Sequence, residues 1–330
     1  MDEPSVGPTS EPSVAFVKPS PESLPRKVFM GDSGLRAGWR FAIYMVAFVV
    51  PSIAISWMLR PLMPAPSSHQ IPRLWVFLFG ECISLVAAVI PAVFMARLEH
   101  RPLGAYGLPR QQAFGKFFWL GMIWGIVAIT VLLVVMRGIG VFYFGGFALH
   151  GLRVLKFACY WGLLFLIVGF FEEFVTRGYT QFTLTSGIGF WPAAILLSIA
   201  FGAIHLGNQG EAWTGALGAA LIGLFFCLTL RRTGSLWFAV GMHASWDWGE
   251  TFLYSVPDSG MVAPGHLLKS SFHGSPWLTG GSVGPEGSVL VFILIAAMWI
   301  VFDRFYPEAR YMRPQAAFVE TAALEPERYP

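Results

Sequence analysis

Two adjacent glutamates, Glu172 and Glu173, close the apolar run from Cys159 to Phe171, and Arg177 follows four residues after the second. Charges at membrane depth are costly, so ionisable residues in such a run are read first as functional. Glu173 and Arg177 share a helix face in the favourable acid-before-base order, which predicts an intrahelical ion pair. Glu172 lies about 100° further round the helix and has no such local partner. A carboxylate left free in a cavity can act as a general base or as a shared acid.

Two later apolar segments carry the other reactive groups. In FGAIH, Phe201 and His205 are four apart and stack on one face. Taken alone, His205 is more simply a satisfied core histidine. In HASWD, His243 and Asp247 are again four apart, and Glu250 continues that face at i+7 on a regular helix. A carboxylate one turn from a histidine can orient its ring, although a helix–helix hydrogen bond accounts for the pair equally well. Glu81 stands alone in an earlier segment, where a bond to a neighbouring helix is the simpler expectation. A free glutamate, two histidines and an aspartate on three segments could activate water and hold a developing oxyanion, provided they converge.

The elements that must position them are membrane helices. The 330 residues are 55% hydrophobic, 16% aromatic and 12% charged, against roughly a quarter charged in a soluble domain. Mean hydropathy is +0.60. A helical span needs about 20 apolar residues, and eight segments meet or approach this: 38–59, 74–96, 117–136, 154–182, 191–206, 213–230, 236–256 and 288–305. The runs are continuous rather than alternating, which excludes barrel strands. The predicted fold is therefore all-α, a polytopic membrane protein with about eight transmembrane helices. Its transmembrane domain spans 36–306, with the reactive core at about 150–256. A Pro/Ser-rich disordered tail is expected over 1–35 and a second tail over 307–330.

With an even number of spans, both termini share a side. Placing them inside leaves only Arg60, Arg73, Arg137, Arg153, Lys156 and Lys269, of 22 basic residues, on the outer side. That bias matches the positive-inside rule and makes the 257–287 loop external. A net charge of +3 gives no reason to expect a nucleic-acid partner. Cys82, Cys159 and Cys227 all fall in apolar runs and read as small packing residues rather than a disulfide framework.

EEFVTR, FGAIH and HASWD, in that order and each on its own span, resemble the EExxxR, FxxxH and HxxxN/D motifs of the intramembrane Caax protease and bacteriocin-processing (CPBP, or ABI) family. That family includes the Ras-converting Caax prenyl proteases. The resemblance implies a glutamate-dependent intramembrane endopeptidase without a cofactor. It makes Glu172 the general base, acting with His205 on the attacking water, and places His243 and Asp247 beside the oxyanion. Glu173, Arg177 and Phe201 would support the site. It implies a membrane-associated protein or peptide as substrate, in the lipid bilayer of the cell (inner) membrane. Asp247 departs from the Asn of better-understood members: an ionised carboxylate cannot donate to an oxyanion, so it either carries a proton or orients His243.

Two alternatives use the same residues. Glu172, His205, His243 and Asp247 have the ligand chemistry of a zinc centre with an open water position, although no HExxH motif occurs. A non-catalytic membrane protein, an immunity factor or scaffold, is the other. A transporter would carry matching features in its two halves, whereas the polar cluster lies wholly in the later half.

Overall fold

Apolar runs of this length leave the backbone no partner in lipid but itself, and helices satisfy that requirement. In the computed structural model, which describes residues 28–31, 34–62, 74–208, 210–262 and 264–311, each of the eight expected segments is helical. The main helices are α1 (Ala37–Leu59), α2 (Leu74–Leu98), α3 (Lys116–Gly138), α4 (Leu152–Glu173), α5 (Thr180–Ile188), α6 (Phe190–His205), α7 (Trp213–Thr233), α8 (Trp237–Trp248) and α9 (Val289–Phe305). Among the described residues, strands are two residues long: Met30–Gly31 pairs with Gly34–Leu35, and Phe142–Tyr143 with Ser271–Phe272. The protein is an all-α polytopic membrane protein. Among the described residues, five helices are long and apolar enough to cross a membrane, the fourth of them running from Leu152 to Ile188 through α4 and α5. Of the two expected tails, residues 1–27 and 312–330 lie outside the described part.

The exposed surface fits a lipid environment. Val46, Val50, Ile53 and Trp57 recur along one side of α1 and are all more than half exposed, an apolar stripe that water would penalise. The interior is held by helix pairs: α3 against α8, α6 against α7, and α4 against α8 and α2. The α3–α8 contact depends on small residues. A Cβ on Gly121 would lie 2.1 Å from the Phe238 carbonyl oxygen, and one on Gly241 would lie 2.2 Å from that of Phe118. Backbones approach this closely only where side chains are missing. This crossing seats α8, the carrier of His243 and Asp247.

Two helices are interrupted at the motifs. Between α4 and α5, residues Phe174–Tyr179 form a π-turn, with Gly178 at non-helical φ −83° and ψ −115°. After α8, Gly249–Tyr254 form a second π-turn. Such bulges shift the register of the following residues and recur at functional sites. The long fourth segment expected from hydropathy is thus a helix re-aimed within EEFVTR. The short fifth one is α6, whose 16 residues end on His205.

Candidate active site

Glu173 is fully buried. Arg177 Nη1 donates to Glu173 Oε1 at 2.8 Å, so the i, i+4 ion pair expected from spacing is formed. Two aromatic faces complete the guanidinium's surroundings, with the Phe201 ring centroid at 4.3 Å and that of Phe226 at 5.6 Å. Cation–π contacts of this kind favour a desolvated arginine. Gly223 makes the room: a Cβ there would lie 2.2 Å from Arg177 Nη2.

The same Glu173 oxygen also faces His243 Nδ1 at 3.0 Å. A carboxylate accepts and does not donate, so Nδ1 carries a hydrogen and the ring orientation is fixed. The other nitrogen, Nε2, then faces Asp247 Oδ2 at 3.4 Å and Glu172 Oε2 at 3.7 Å. Phe226 stacks on the imidazole with its centroid 5.9 Å away. Spacing alone had not revealed that Glu173 ties the arginine to the histidine. That link depends on α4 and α8 packing together.

Glu172 turns away from this pair, as its position on the helix requires. Its Oε2 is buried and accepts no hydrogen bond, yet the side chain as a whole stays 26% exposed, toward a cavity. This cavity, of about 900 Å³, is lined by Glu172, His205, His243 and Asp247, together with Phe201 and Glu81. The structure thus brings the four residues singled out by sequence to one space. His205 makes its own contacts within its helix. Its Nδ1 donates to the Phe201 carbonyl at 2.8 Å, which leaves Nε2 as the basic nitrogen of the neutral ring. Phe201 and His205 meet edge to face at 4.5 Å.

Glu81 lies close enough to Glu172 for the two charges to interact, so its place on the cavity wall exceeds what a lone helix glutamate suggested. Asp258 and Glu286 also line the cavity. Both come from the 257–287 loop, where no spacing pattern marks them. Burial, and then the charges of Asp247 and Glu286, push the Asp258 carboxyl well above the usual range. Glu250 does not continue the His243–Asp247 face. The π-turn that begins at Gly249 changes the helical phase and directs Glu250 toward Asp258 and Glu286.

Residues 154–249, from the first turn of α4 to the end of α8, match the model of a family described as Rce1-like, type II CAAX prenyl endopeptidase Rce1-like. The match covers less than a third of the chain, and that stretch is similar to this family. Among curated proteins, none matches the chain. The Rce1-like domain contains all three motifs and their helices, while Glu81, Asp258 and Glu286 reach the cavity from outside it.

Among the described residues, the group of three or more whose ligand atoms all lie within 4.8 Å of one another is not drawn from the four named for a zinc centre. That group is Glu250, Asp258 and Glu286.

Proposed function

We propose that the protein is an intramembrane glutamate-dependent endopeptidase, and that it cleaves peptide bonds of membrane-associated proteins or peptides by Caax-type or bacteriocin-type processing. The observation that carries this reading is the Glu172 carboxylate: one oxygen buried and accepting no hydrogen bond, 3.7 Å from His243 Nε2, on the wall of a cavity large enough for a peptide segment. Glu172 acts as general base on a water held between it and the basic Nε2 of His205. His243, oriented at Nδ1 by Glu173 and carrying hydrogens on both nitrogens, donates from Nε2 to the oxygen of the scissile carbonyl as charge develops there, with Asp247 beside it. Glu172, having taken the proton of the attacking water, returns it to the leaving amine. Arg177 holds Glu173 in place and does not touch the substrate.

The Rce1-like domain supports a prenylated Caax tail as one substrate class, alongside other membrane-proximal peptides. The setting is the cell (inner) membrane, with both termini cytoplasmic.

The decisive test compares membrane proteomes of wild-type, deletion and Glu172→Ala strains for uncleaved C-terminal or precursor peptides. The two mutant strains should share the same uncleaved peptides at normal Glu172→Ala protein levels. A Glu172→Ala strain with a wild-type peptide pattern would refute the proposal. Zinc held by Glu172, His205, His243 and Asp247 is the rival mechanism. It requires cleavage by purified protein to be lost on chelation and restored by zinc.

A further inference from the structure

The second acidic group lies beyond the Rce1-like domain. Glu250, Asp258 and Glu286 each place a carboxylate oxygen so that the three atoms lie within 4.8 Å of one another. Three like charges this close repel strongly at low dielectric unless protons or a cation intervene. Hydrogen bonds account for two of them. Glu286 accepts from Trp246 Nε1 at 3.2 Å, Ser259 N at 3.0 Å and Ser259 Oγ at 2.7 Å. Asp258 accepts from Thr251 Oγ1 at 3.0 Å. Glu250 has no such account: it is fully buried, and neither of its oxygens accepts a hydrogen bond. The Trp246 indole nearby gives its single hydrogen to Glu286.

We propose that Glu250, Asp258 and Glu286 bind a hard divalent cation of calcium size. Two oxygens on one ion cannot be further apart than twice the metal–oxygen distance. That limit is about 4.2 Å for magnesium and about 4.6–5.2 Å for calcium, so three oxygens within 4.8 Å of one another can share one calcium ion. Three carboxylates can supply up to six oxygens, within the usual calcium shell of about 6–8. The all-oxygen donor set disfavours zinc and copper, which select nitrogen and sulfur.

The ion would join three separate pieces of chain. Glu250 belongs to the π-turn after α8, Asp258 to the turn that pairs with Met261, and Glu286 to the short helical turn Pro285–Gly287. Gly260 N already donates to the Val283 carbonyl at 2.9 Å, tying the two loop segments together. A cation there would pin the loop ends at the cavity wall. It would also offset the negative charge that Glu286 directs at Asp247. Because the ion displaces protons, its affinity falls as pH falls.

The test uses the full chain purified in detergent, stripped with chelator and titrated separately with calcium, magnesium and zinc chlorides. Bound metal and thermal midpoint are read, neither of which depends on peptidase activity. The expected result is one calcium per chain with a raised midpoint, and calcium binding weakened at least about tenfold in Glu250→Gln. If Glu250→Gln does not fold, Asp258→Asn should give the same loss. A wild-type chain that takes up no calcium would overturn the proposal and leave a proton-sharing carboxyl cluster. Uptake unchanged in both variants, or lost only in His243→Ala, would overturn it equally by placing the ion elsewhere.

Discussion

One carboxylate oxygen, Glu173 Oε1, holds two neighbours, Arg177 at 2.8 Å and His243 at 3.0 Å. A motif that reads as two glutamates and an arginine therefore splits: Glu173 holds Arg177 and His243, while Glu172 faces the cavity, where the proposed mechanism uses it as the base. The arrangement also bears on Asp247. With Nδ1 of His243 already held by Glu173, Asp247 is not needed to orient the ring, and its Oδ2 instead stands 3.4 Å from Nε2. Asp247→Asn, which keeps a polar group of the same shape there, should retain cleavage within about tenfold of wild type. Asp247→Ala should lose about 10²–10³-fold, the usual loss when an oxyanion-hole group is removed. Peptide-cleavage rates of purified variants decide it, and a collapse in Asp247→Asn would return the orienting role to Asp247.

At the scale of elements, the site depends on where α8 sits against α3 and α4. Gly241 is two residues before His243, and its missing side chain lets α8 close on the Phe118 backbone. Gly241→Ala should force the helices apart, cost about 1–3 kcal/mol as overpacking does, and displace His243 from Glu172. Gly138→Ala, on α3 with nothing within 4 Å of the added Cβ, is the control and should leave both unchanged. Thermal midpoint and cleavage rate should fall together in the first variant alone. An unchanged midpoint in Gly241→Ala would show that the crossing tolerates a methyl group. The π-turns act at the same scale. One lies within EEFVTR, and the other swings Glu250 off the His243 face into a different cluster.

For the molecule as a whole, the excess of basic residues on one side gives a testable orientation. Reporters fused at the C-terminus and inserted in the 257–287 loop should report opposite sides of the membrane, with the C-terminus cytoplasmic. The same side for both would refute the even-span topology. That orientation also places the Glu250–Asp258–Glu286 cluster at the outer face, reached by a loop that lies beyond the Rce1-like domain.

Sequence by itself determined the all-α membrane class, the helical segments, the Glu173–Arg177 pair and the independence of Glu172. Each follows from local periodicity or from hydropathy summed along the chain, and both are properties of neighbours in sequence. Only the tertiary structure decided that Glu173 reaches His243, that Glu81 joins the Glu172 cavity, and that Gly223 makes room for Arg177. The same holds for Glu250, which leaves its expected face for Asp258 and Glu286. These contacts join helices and loops far apart in the chain. Their register is set by close backbone crossings and π-turns, which shift a side chain by a fraction of a turn and leave no period in the sequence to read.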